Sequence, residues 1–145
     1  MPFDVTNTMR AIQSHLLAAG YFRHVQIGEP KAAPSERFTA AIFMEAIEPH
    51  DIPLATICAL YKMVVRVYDN MTHEPQEDVE LEMSIVVDKV MNDLSGDFTL
   101  GGTVRGIDVS QLRTQWSYLD VDRTIYRIAD ISIPIIVNDV AVLSP

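Results

Sequence analysis

Apolar residues recur along this chain at two periods, and the switches between them divide it into elements. From about Thr6 onward, Met9, Ile12, Leu16 and Ala19 fall at helical spacing, and Gly20 stands where a helix C-cap needs a residue tolerant of positive φ. The spacing predicts a first helix with one core-facing stripe. A brief extended piece, HVQI, follows, and then GEPKAAPSER, whose Gly28, Pro30 and Pro34 among charged residues predict an exposed connection.

The period then shortens to two. In FTAAIFMEAI, residues 38–47, Phe38, Ala40, Ile42, Met44 and Ala46 share one strand face, and the other face stays largely apolar until Glu45, as in a strand covered on both sides. EPHDIP turns the chain. In ATICALYKMVVRVYDN, Tyr61, Met63, Val65 and Val67 alternate with polar positions that include Lys62 and Arg66, which predicts one inward and one polar face.

After DNMTH the helical period returns in EPQEDVELEMSIVVDKVMNDL, with Val79, Met83, Val86, Val90 and Leu94 as its stripe. Pro75 suits the first turn, and Glu74, Glu77, Asp78 and Glu80 gather at the amino end, where the helix dipole favours negative charge. The carboxyl part of the chain predicts a strand in GTVRGIDV, an exposed connection in SQLRTQWSYLD and a turn in YLDVDRT. A long final strand follows, in which Ala129, Ile131, Ile133, Ile135 and Val137 point one way. Pro134 cannot donate a ladder hydrogen bond, so this strand is expected at a sheet edge or with a bulge.

The resulting order is helix, strands, helix, strands. It predicts a single domain over residues 1–145 of the α+β class, a mainly antiparallel mixed sheet of four to six strands packed against two helices.

Gly96, Gly101, Gly102 and Gly106 raise the question of a phosphate loop. They follow a helix and precede a strand, the reverse of the strand, loop, helix order that a phosphate cradle needs, and GxGxxG spacing is absent. Helix termination and entry into a strand is the reading they support. His15, His24, His50 and His73 stand on different elements without metal-ligand spacing, the serines lack a Gly-x-Ser-x-Gly elbow, and Cys58 sits in the apolar ATICALY as a small structural thiol. Aspartates 69, 97, 108, 120, 122 and 139 flank turns and strand ends, where local backbone bonding favours them. These observations predict no catalytic residue, no metal and no cofactor.

A formal charge of −9 provides no footprint for nucleic acid or an anionic membrane and turns attention to protein partners. The start MPFDVTNTMR lacks the pattern of a secretory signal, and the lone cysteine cannot form an internal disulfide, so a reducing cytoplasm is the expected compartment.

The runs GYFRHVQIGEPKAAP, TAAIFMEAI, VYDNMTHEPQE, SGDFTLGGTVRGIDV and YRIADISIPIIVNDV together resemble the tail terminator, or tail-completion, proteins of long-tailed bacteriophages, especially those infecting actinobacteria. The resemblance spans nearly the whole chain. It implies a non-enzymatic virion protein, assembled in the host cytoplasm, that forms a ring, usually sixfold, at the head-proximal end of the tail. Its partners would be copies of itself, the major tail tube protein and head-tail connector proteins. Its role would be to stop tube polymerisation and offer a surface to the filled head. Another neck component, a connector or stopper subunit, is the alternative.

Such work needs heterologous interfaces of about 800 Å² per partner, which the exposed connections at residues 28–37, 69–76, 95–103 and 110–123 would supply. Glu29, Lys31, Arg37, Met71, Phe98, Arg105, Arg113, Trp116 and Tyr118 are the candidate contact residues, being mostly of types that anchor interfaces. For Phe98 and Trp116 the alternative is packing on the chain's own core. Unpaired edges of the first and last strands offer a further route, since an edge can extend a neighbour's sheet. Closing a ring of chains this acidic would require Arg23, Lys31, Arg37, Arg105, Arg113 or Arg127 to face acids of the next subunit at short range, because salt screens charges separated by more than a Debye length of about 8 Å.

Overall fold

The computed structural model describes residues 5–28, 38–49, 57–70, 76–96, 100, 106–121 and 123–139. Helix α1 (Val5–Ala19) leads into strand β1 (His24–Ile27), then β2 (Thr39–Pro49) and β3 (Ile57–Asn70). Helix α2 (Gln76–Gly96) follows, and after it β4 (Gly106–Ile107), a short 3-10 turn at Val109–Gln111, β5 (Arg113–Val121) and β6 (Thr124–Asp139). The strands form one six-stranded sheet ordered β1, β2, β3, β6, β4, with β5 also paired to β6. Among the described residues only the β1–β2 pair is parallel. The expected α+β class, with a mainly antiparallel mixed sheet against two helices, is what the chain adopts.

Both helices lie on one face of the sheet. Ile12 and Leu16 of α1 and Met83, Val87, Val90 and Leu94 of α2 join Ile42, Met63, Val65, Ile131, Ile133 and Ile135 in a single buried cluster. The inward sets expected of β3 and β6 are buried almost completely, because registers such as Val65 opposite Ile131 place both residues on the same face. In α2 the expected stripe widens: Val87 is buried and Val86 packs partly buried beside it, since a helix over a broad sheet covers more than one row of positions. Gly20 ends the α1 segment at φ 79°, in the left-handed region that glycine enters without a Cβ clash.

The opposite sheet face has a smaller core of its own, in which Ala41, Tyr68, Tyr126 and Ile128 pack with Leu119. Tyr68 and Tyr126 meet edge to face, with centroids 6.1 Å apart, an arrangement that ring quadrupoles favour. β2 passes from covered to exposed along its length, with a register shift between Met44 and Ala46, so only its first half is covered on both faces.

Two expectations are corrected. Residues 113–121, expected within an exposed connection, form strand β5, paired from Arg113 opposite Ser132 to Val121 opposite Thr124. The final strand β6 is not an edge and has no bulge; it runs through the sheet interior with an unbroken register against β3. Pro134 is tolerated there because β6 changes partners beside it. The ladder to β5 ends at Ser132, the ladder to β4 begins at Ile135, and the Pro134 carbonyl accepts the Asp108 N–H at 2.9 Å. The missing proline donor therefore faces the junction between two strands rather than a ladder. Of the strand expected in GTVRGIDV, the described residues include the two-residue β4; Gly101, Gly102 and Arg105 lie outside them.

Candidate assembly surfaces

Strand β5 collects three of the expected contact residues, Arg113, Trp116 and Tyr118. Glu29, Lys31, Arg37, Met71, Phe98 and Arg105 lie outside the described residues. On β5 the alternation puts Thr114, Trp116 and Tyr118 on the helix face, and Arg113, Gln115 and Ser117 on the other. Trp116 is partly buried and packs against the main core, while Tyr118 is 53% exposed.

Arg127 of β6 ties this strand to α2. Its guanidinium lies 4.5 Å from the Tyr118 ring centroid and 5.3 Å from that of Trp116. It also donates to both carboxylate oxygens of Glu80, at 3.1 and 3.4 Å, and to the Ser117 carbonyl at 3.2 Å. A planar cation stacked on aromatics and paired to a carboxylate holds its geometry better than a lysine could. Further along, the Thr114 hydroxyl donates to the Met91 sulfur at 3.4 Å. Arg127 was expected only as one of several ring-closing charges, because nothing in the sequence spacing reveals that residues 80, 116, 118 and 127 meet.

The two edges of the sheet are unlike. The bond from Asp108 to Pro134 makes the even positions of β6 face β4 and β5, so Arg113, Gln115, Ser117, Leu119 and Val121 direct their backbone groups to β6. The N–H and C=O of Thr114, Trp116, Tyr118 and Asp120 then point away from the sheet, and among the described residues no strand pairs with them. At the other edge β1 is four residues long and blunted: Gln13 of α1 donates to the Val25 carbonyl at 3.0 Å, and Gln26 donates to the Gly28 carbonyl at 2.9 Å. Thus the expected edge pair, first and last strands, becomes β1 and β5, with β5 the open one.

On the sheet face away from the helices, a groove of about 320 Å³ lies over the junction at Pro134, lined by Glu45, Glu48, Lys62, Asp108, Arg113 and Ser132 among others. Lys62 pairs with Glu48 at 3.2 Å. Nearby, Arg66 grips Asp130 through two bonds of 2.7 and 3.0 Å and lies over the Phe43 ring. The Asp130 hydrogen bonds outweigh the cost of burial and push the Arg66 ionisation further up, which keeps the guanidinium charged. Among the described residues no three His, Cys, Asp or Glu side chains converge as a metal site, and no helix is long and apolar enough to cross a membrane. Exposed aliphatics include Leu81 and Ile85, one turn apart on α2.

Tyr21, just after α1, links the two helices: its hydroxyl bonds to Asp93, and Lys89 lies 5.5 Å from its ring centroid. Partial burial raises its ionisation above the ordinary value of 10.0, and the Asp93 charge and hydrogen bond raise it further. The fold thus prefers the protonated phenol; this stabilisation is complete below pH 10.0 and is lost as pH rises through the higher folded value. Tyr21→Phe is expected to flatten the alkaline fall of the urea midpoint above that pH. An unchanged alkaline slope in the variant would remove Tyr21 from that role.

No family model and no curated protein matches the chain. Among solved structures it is similar to the sheath/tube terminator of an extracellular contractile injection system, PVC, in its extended state. The identity is 12%, the TM-score is 0.38, and the alignment covers 96% of this chain and 58% of that one. The chain therefore spans less than two thirds of that protein, and the likeness in fold is loose.

Proposed function

We propose that this protein is a structural tail component, a terminator that assembles as a ring, sixfold in the simplest case, on the end of a tail tube, ends its polymerisation and offers the head-docking surface. On this reading it makes and breaks no covalent bond. Its partners are copies of itself, the major tail tube protein and head-tail connector proteins.

The observation that carries the reading is the outer edge of β5, a nine-residue strand tied to α2 through Arg127, which exposes Tyr118 and whose outward backbone groups have no strand partner among the described residues. An edge this long is an aggregation hazard unless it has a partner, so its retention fits a protein made to be assembled. The motifs GEPK, SGDF and IPIIVND, with their resemblance to tail terminators, point the same way.

Adding the purified protein to polymerising tail tube subunits tests the proposal. Tubes of capped length with extra density at one end in electron micrographs are the expected result, and mass photometry should show closed oligomers alone or on the tube. Tubes that lengthen freely would overturn it, and binding to the portal side instead would assign the chain to a connector or stopper. Arg113→Glu should weaken ring closure; unaltered assembly would show that this charge has no part in it.

A further inference from the structure

We propose that the open edge of β5 receives an extended strand from a different protein, one carrying Lys or Arg at alternate positions, which continues the sheet. The inference rests on the reading of the protein as an assembly component and identifies the chemistry of its partner.

The backbone sets the mode of binding. Thr114, Trp116, Tyr118 and Asp120 direct their N–H and C=O groups outward in register, a template on which a strand forms main-chain bonds. The residues that present these groups also turn their side chains to the helix face, so an added strand has one row of side chains beside Trp116, Tyr118 and α2.

The flank of α2 sets the charge. Glu80 meets Arg127 and Met91 meets Thr114, which fixes the side of the helix turned to β5. At 3.6 residues per turn, Ser84, Glu77 and Asp88 follow on that side, each exposed. The Arg127 charge is already engaged by Glu80, so the flank offers Glu77 and Asp88, with Asp120 on the strand itself. Cationic side chains at alternate positions of the incoming strand satisfy these acids, whereas acidic ones are repelled.

A second copy is the poorer occupant. Pairing β5 with β5 about a twofold axis sets two α2 helices side by side on the same face, bringing their acidic flanks together in chains of charge −9. Pairing β5 with β1 is obstructed because Gln13 occupies the Val25 carbonyl. The partner is accordingly a basic strand of another chain.

Residue-resolved amide exchange on the full chain, with the acetylated, amidated peptide Lys-Val-Lys-Val-Lys-Val-Lys-Val as probe, tests this. In the free protein the amides of residues 114, 116, 118 and 120 are expected to exchange rapidly and those of 115, 117 and 119 slowly; the peptide should slow the even set by about tenfold or more. The corresponding Glu-Val peptide should leave them unprotected. Tyr118→Ala keeps the edge donor and should retain binding, while Tyr118→Pro removes that donor and should lose it. Glu77→Gln with Asp88→Asn should weaken binding by about tenfold.

Equal protection by both peptides, no protection of the even amides, or concentration-dependent protection in the free protein, the signature of a second copy, would each overturn the proposal. Loss of these signals in a protein that still caps tubes would defeat this inference alone; normal peptide binding in a protein that leaves tubes uncapped would defeat the functional reading instead.

Discussion

Ile131→Ala is expected to destabilise the protein by about 2–5 kcal/mol, read as a lowered urea midpoint with an unchanged slope. Ile131 is fully buried at the middle of β6, in register with Val65 of β3 on one side and Thr114 of β5 on the other. The strand beneath it belongs to three ladders, so neighbours cannot collapse into the space without disturbing hydrogen bonds on both sides, and most of the cavity persists. Ile125→Ala on the same strand is the control. Ile125 is 52% exposed, and its truncation should change stability by no more than about 0.5 kcal/mol. Similar losses at both positions would contradict the placement of β6 at the centre of the core.

Ser117→Pro has the second large effect, a loss of about 3 kcal/mol or a failure to fold. Its N–H belongs to the ladder with Ile128, and its carbonyl also accepts from Arg127. Proline there deletes a ladder bond in the middle of the strand and disturbs the contact that ties β5 to α2. The neighbouring Tyr118→Pro, whose lost donor faces the open edge, should cost much less, because edge positions with an outward N–H tolerate proline. The pair can be compared by urea denaturation. Were residues 110–123 a simple exposed connection, the two substitutions would cost the same small amount.

That contrast also locates where sequence reading stopped. α1, α2, β2, β3 and β6 were legible because each repeats its apolar residues at its own period and buries that set against the others; Ala129 through Val137 could be read directly from the alternation. β5 could not. Its sequence RTQWSYLDV turns Thr114, Trp116 and Tyr118 to the helix side and Arg113, Gln115 and Ser117 to solvent, so neither face has a continuous apolar row. Its strand conformation comes from the β6 ladder. The Arg127 clasp was equally hidden, because it joins residues 80, 116, 118 and 127 across three elements. Of the nine expected contact residues, the described structure brings together Arg113, Trp116 and Tyr118, on a strand rather than a loop.

By itself the sequence determined the elements whose stability is periodic and local: the two amphipathic helices, the long strands, their buried faces and hence the α+β class. Only the tertiary structure decided which strand lies at an edge, how an interior strand accommodates Pro134, and which backbone groups remain open. The physical reason is that burial of a side chain depends on its own position along one element, whereas ladder hydrogen bonds and the Arg127 contacts depend on which distant segments become neighbours.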